Sequence, residues 1–317
     1  MYIEQAYKGL SDSWRYLIGI FGVFIVWQFI GAIPLLGALA LKEGGMSAMM
    51  SGDIGLMSQV LGSNTFLFLL LLTFAIGLIA VFVCVKFLHK QSITSLTTAR
   101  KKIDWKRIFF SFFIWGSISA IFIFLDIFLT PEDYAFNFEL IPFLILFIVA
   151  ILMIPIQTSM EEYFIRGYMM QGLGTATKNR WFPLLFTSLL FGFMHILNPE
   201  VEKLGYGILI FYIGTGLFLG IITLMDEGLE LALGFHAANN LFGALLVTAD
   251  WTAFQTNSVY RDISDPVLDW DILVPVFVVF PILLFFFGRK YGWKDWRERL
   301  TGSVPSREVF LESNTNG

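Results

Sequence analysis

Long apolar runs broken by short polar links set the pattern of this chain. Eight stretches, near residues 16–41, 65–88, 108–130, 140–165, 181–198, 206–225, 229–249 and 271–288, are dominated by Leu, Ile, Phe and Val. A helix needs about 20 mostly apolar residues to cross a bilayer. The pattern therefore predicts an all-α fold, a polytopic transmembrane helical bundle of about eight spans. The fifth and seventh runs are the weakest, since each carries a histidine, His195 and His236. The segment before the first run contains acids and no small-residue cleavage site, so 16–41 is expected to stay as an uncleaved span.

Composition agrees with the pattern. The chain has 317 residues, 56% of them hydrophobic and only 15% charged, where a soluble domain would carry about a quarter charged residues. A formal charge of −4 gives no basis for nucleic-acid binding. Cys84 is the only cysteine, so no intramolecular disulfide can form. An integral, multi-pass membrane protein is the expected setting.

Charge in the links sets the expected orientation. The 86–107 link, the "TKNRW" turn and the "GRKYGWKDWRERL" stretch are basic, while 131–139 and most of 250–270 are acidic. On the positive-inside rule the basic links and both termini face the cytoplasm. The short "MDEG" link at 225–228 breaks the pattern, being acidic on the side expected to be basic. The chain divides into N-terminal spans with the basic link (1–139), a polar-bearing helical core (140–250), and a last span with a polar cytoplasmic tail (251–317). Residues 42–64 read as a mobile outer loop, 89–107 as a segment along the cytoplasmic face, and 301–317 as disordered.

Ionisable side chains inside a membrane span cost about 2.5–3.5 kcal/mol each on insertion scales and mark function by default. Of the three histidines, His89 lies in the basic link and is expected to be solvated; His195 and His236 lie in apolar runs. Asp126 is near the outer end of its run and is expected to be idle. The polar chemistry gathers in Glu161-Glu162-xxx-Arg166, Phe191-xxx-His195 and His236-xxx-Asn240. Residues four apart share a helix face, so Glu162 can pair with Arg166. Glu161 is turned about 100° away and is free for another partner. The runs bearing Glu161 and His195 form a hairpin around the "TKNR" turn, each group roughly 20 Å from it, so they can meet inside the membrane. A GxxxG at Gly216 and Gly220 allows close helix approach.

A buried carboxylate free of a cation suits a general base. Glu162, held by Arg166, reads as an organiser; Glu161 and His195 read as the groups on a water. His236 and Asn240 can donate to a developing oxyanion. Together they point to hydrolysis of a peptide bond within the membrane. A zinc site on Glu161, His195 and His236 is the alternative, but HExxH is absent and a metal-free, glutamate-activated water is preferred.

These motifs resemble those of the CAAX proteases and bacteriocin-processing enzymes, the CPBP intramembrane proteases: EExxxR, FxxxH and HxxxN in order over roughly 140–250, with Gly167 after the arginine. The resemblance implies a site opening to the cytoplasmic side, with Glu161 and His195 on the water and His236 and Asn240 at the oxyanion. It also implies a membrane-associated protein or peptide substrate; eukaryotic members remove the last three residues of prenylated CAAX proteins. The family is often classed with metalloproteases. Two rival classes remain: a transporter using the acids and histidines as a proton relay, though no internal repeat is visible, and a non-catalytic membrane scaffold.

Overall fold

The computed structural model describes residues 1–268 and 270–315. It is all-α in class, 76% helical. Among the described residues five helices are long and apolar enough to cross a membrane: Ser13–Ala40, Ser63–Leu88, Trp105–Leu129, Leu140–Thr177 and Tyr206–Asp226. The expected count of eight is therefore not reached. The fifth and seventh runs are the helices Trp181–Met194, of 14 residues, and Glu230–Leu246, of 17. The last run forms a π segment Pro275–Val279 continuing into the helix Phe280–Tyr291. At 1.5 Å per residue these three are about 21–26 Å long, short of a full crossing. The fifth run ends at His195, one of the residues that build the site described below.

The helices pack side by side and alternate in direction. The helix bearing Glu161 (Leu140–Thr177) lies against Ser63–Leu88 and against Glu230–Leu246, and the latter also packs along Trp105–Leu129. Trp181–Met194 packs on Tyr206–Asp226. Gly216 and Gly220 make that approach possible: a Cβ on Gly216 would come within 2.8 Å of the Ser188 carbonyl oxygen, and one on Gly220 within 2.6 Å of Leu184. Aromatic rings fill the middle, with Phe218, Phe235, Phe280 and Trp115 in mutual contact.

All the basic links gather at one end. The acidic turn that broke the charge pattern is also there, and ion pairs explain it. Asp226 binds Arg100 at 2.9 Å and also Arg107, Glu230 binds Arg100 at 3.2 Å, and Glu227 binds Arg299 at 2.9 Å. The acids neutralise arginines of neighbouring links, so the turn adds no free negative charge. Both ends of the described chain meet here: Tyr7 donates to the Pro305 carbonyl at 2.9 Å.

Several link readings are corrected. His89 is not solvated but 1% exposed; its ring bonds the Leu10 carbonyl at 2.7 Å and the Tyr168 hydroxyl at 2.6 Å. The 89–107 link does not merely lie along a face, since Ser95, Leu96, Thr97 and Thr98 are buried. Residues 42–64 contain two short helices, Gly45–Ser51 and Ile54–Leu61. The tail is helical over Arg307–Thr315, because Phe310 docks on Tyr7; residues 316 and 317 fall outside the described part. At the end opposite the basic links, Tyr134–Phe136 pairs antiparallel with Tyr260–Asp262, which pairs parallel with Val247–Thr248.

Candidate active site

The three polar segments converge in the helical core. The Leu140–Thr177 helix carries Gln157, Glu161, Glu162 and Arg166; after Glu162 it continues as a π segment, Tyr163–Met169. Such widened turns are rare and frequent at functional sites. Glu162 and Arg166 are fully buried and paired at 3.0 Å. The guanidinium also donates to the Gly216 carbonyl at 3.3 Å and lies 4.1 Å from the centre of the Phe191 ring. The close helix approach at the GxxxG thus brings a carbonyl within reach of the buried cation, and Phe191 covers its face.

His236 sits between the two glutamates. Its Nδ1 meets Glu162 Oε1 at 2.8 Å, and its Nε2 lies 3.4 Å from Glu161 Oε2. Both ring nitrogens thus face carboxylates. Its neighbour one turn on, Asn240, donates to Gln157 Oε1 at 3.0 Å and accepts from Asn239 at 3.1 Å. Trp115 anchors Asn239 at 3.1 Å. His195 caps the helix Trp181–Met194, where its Nδ1–H donates to the Phe191 carbonyl at 2.7 Å. That bond leaves Nε2 as the free acceptor. The ring stacks on Tyr212 with centroids 4.3 Å apart.

A cavity of about 510 Å³ reaches this cluster, and Gln157, Glu161, His195, Asn239 and Asn240 line it. Glu162, Arg166 and His236 do not; they stand behind Glu161. Glu161 Oε2 and Glu162 Oε2 are buried without a hydrogen-bond partner. The other walls come from the spans, among them Trp27, Gln28, Leu70 and Phe74, and from Ile54, Asn198, Glu200 and Thr252–Phe254, the last group in segments at the end opposite the basic links. The basic end is closed. There the N-terminal turn Ile3–Lys8 is packed in, with Tyr2 and Ile3 buried, and the Tyr2 hydroxyl donates to the Leu96 carbonyl at 2.7 Å. Glu4 holds the buried Arg180. A cytoplasmic basic end and a site opening to the cytoplasm were both expected. In this structure the two expectations exclude each other.

The metal alternative fails on the donor set. Among the described residues no three His, Cys, Asp or Glu side chains are grouped to hold an ion. His236 Nδ1 is held by Glu162 and its Nε2 lies 3.4 Å from Glu161 Oε2, and one His195 nitrogen is engaged by a backbone carbonyl. Zinc sites take at least three protein ligands, so these residues do not fit one. Asp126 lies apart from the cavity, accepting from Tyr134.

Sequence reasoning passed over Gln157, Asn239, Tyr212 and Glu200. Gln157 was detectable, being a polar residue in an apolar run four positions before Glu161 and so on its face. Tyr212 and Glu200 carry no such signal; packing across the fold brings them in, Tyr212 by stacking on His195 and Glu200 by its bond to Ala253.

Comparison with known proteins bears on this arrangement. Residues 139–242 match the family described as Type II CAAX prenyl endopeptidase Rce1-like. The match covers 104 of the 317 residues, about a third of the chain. The Rce1-like segment starts just before the glutamate helix and ends just after Asn240, so it contains all six residues singled out in the sequence. The uncharacterized protein YyaK of Bacillus subtilis (strain 168) is 33% identical over 184 residues, which cover 58% of this chain and 60% of that protein. The similarity thus spans less than two thirds of that relative. No solved structure matches the chain.

Proposed function

We propose that the protein is an intramembrane endopeptidase that cuts a peptide bond with water activated by Glu161. One observation carries the reading: of two adjacent buried glutamates, one is locked by Arg166 and His236 while the other faces the cavity beside His195. Water bound between Glu161 and the free Nε2 of His195 loses a proton to the Glu161 carboxylate as its oxygen adds to the carbonyl carbon. The oxyanion is met by the second N–H of the Asn240 amide, the first being held on Gln157. Glu161 then gives the proton to the amide nitrogen, the C–N bond breaks, and a carboxyl and an amine leave.

His236 takes a different part from the oxyanion donor expected of it. Its Nδ1 is held on Glu162 while its Nε2 faces Glu161, so His236 orients the base from behind.

The test is cleavage of a peptide mixture by purified protein in nanodiscs. Wild type is expected to generate new termini, and Glu161→Gln none. A non-catalytic scaffold predicts no cleavage by either, and equal cleavage by both removes Glu161 from the chemistry.

A further inference from the structure

Two carboxylates line the cavity, Glu161 and Glu200, and among its described lining residues there is no Lys or Arg. Glu200 lies in the short helix Pro199–Leu204, which follows His195 directly, and it is half-buried. Its Oε1 accepts from the Ala253 backbone N–H at 2.9 Å. That bond ties the 195–205 and 247–254 segments together and fixes the carboxylate in the wall. Its Oε2 is buried with no hydrogen-bond partner, and no Lys or Arg among the described residues lies within ion-pair distance. A buried carboxylate oxygen left unpaired is costly, and such atoms in native proteins call for an explanation such as an absent ligand. Tyr212, whose ring stacks on His195, also lines the cavity. A wall carboxylate with one oxygen unpaired is suited to an ammonium or guanidinium group.

We propose that Glu200 is a specificity-determining residue that binds a cationic group of the substrate, and that the cavity cuts interior bonds of basic peptides rather than releasing a C-terminal tripeptide. The proposal rests on the endopeptidase reading above. Release of the last three residues would bring a free carboxylate within three residues of the reacting carbonyl. Here that anion would enter a cavity whose fixed charges are both negative, with no cation to receive it. A Lys or Arg side chain, or a free α-amine, meets the opposite field and completes the Glu200 pair.

The experiment compares peptides that differ at one position near the scissile bond: Lys, norleucine or Glu, each with an acetylated or free N-terminus and an amidated C-terminus. Wild type is expected to prefer Lys over norleucine by about tenfold in kcat/KM, the size of one charge-assisted hydrogen bond, and Glu200→Gln to bring that ratio near one. A preference that follows the free N-terminus instead identifies the α-amine as the cation. Binding to the Glu161→Gln variant, read by fluorescence anisotropy, reports the same subsite without turnover. There the Lys peptide is expected to bind tighter than norleucine, and the added Glu200→Gln change to remove the difference. Equal handling of Lys and norleucine by wild type, or a ratio unchanged in Glu200→Gln, overturns the proposal. Absence of any cleavage together with Glu200-dependent binding sinks the endopeptidase reading and leaves the cation subsite standing.

Discussion

Glu161 and Glu162 are adjacent in sequence yet differ in what their loss should do. Glu162 is fully buried against Arg166 and His236. Removing one partner of a buried pair leaves the other charged and unpaired, at a cost of about 3–5 kcal/mol. Arg166→Ala is therefore expected to lower the thermal unfolding temperature sharply. Arg166→Lys should rescue it poorly, because one ammonium cannot reach both Glu162 and the Gly216 carbonyl as the fork does. Glu161→Gln keeps the shape and removes a buried charge, so it should unfold near the wild-type temperature while losing turnover. Unfolding scans in detergent beside a cleavage assay separate the two glutamates; a fall in stability for Glu161→Gln as large as for Arg166→Ala contradicts the division. His89 gives a second prediction. Burial holds its imidazole below the ordinary value, so it stays neutral in the fold. The unfolded chain takes up a proton below about pH 6.5. As pH falls through that value the unfolded state gains a proton that the folded state refuses, and stability drops by up to about 1.4 kcal/mol per pH unit. Unfolding temperatures from pH 7 to 5 should fall more steeply in wild type than in His89→Gln.

The packing of elements is tested at the glycines. Gly216→Val sets a side chain against the Ser188 backbone, which cannot swing aside. Overpacking of this kind costs about 1–3 kcal/mol, and the Arg166 contact to the Gly216 carbonyl should suffer with it. Gly22, with nothing within 4 Å of an added Cβ, is the control: Gly22→Ala should be neutral or slightly stabilising, since alanine favours helix by up to about 1 kcal/mol. A neutral Gly216→Val, measured by the same scans, removes the close approach from the account. What could be read in advance divides along similar lines. Helical spacing was enough to pair Glu162 with Arg166 and to set His236 and Asn240 on one face, because a regular helix carries that information in its sequence. Apolar length misjudged the runs around His195 and His236: the first helix ends at His195, and the second gives way at Val247 to a short strand. His89 looked solvated because a basic link hides the fact that its ring is buried against Tyr16 and Tyr168. Glu200 was illegible, since only the Ala253 contact across the fold carries it into the cavity wall.

For the whole molecule the open question is which face of the membrane the cavity serves. Of the 21 Lys and Arg residues, only Lys42, Lys203 and Arg261 lie on the end where the cavity opens, and Arg166 is internal. The others gather at the end closed by the N-terminal turn. The acids of the 225–228 turn do not dilute this asymmetry, being spent on Arg100, Arg107 and Arg299. The positive-inside rule counts Lys and Arg near span ends rather than net charge, so it places the closed end in the cytoplasm and the cavity mouth on the other face. On that orientation, the proposed basic-peptide substrate would arrive from outside or along the membrane from that side. Cysteine labelling decides it. In a Cys84→Ser background, Glu132→Cys at the cavity end and Lys101→Cys at the basic end each place one exposed thiol. A membrane-impermeant maleimide added to intact cells is expected to label Glu132→Cys at once and Lys101→Cys only after lysis. The reverse pattern would put the cavity mouth in the cytoplasm, as the family resemblance alone implied, and the 17 clustered basic residues would then stand on the outer face against the rule that orients helical membrane proteins.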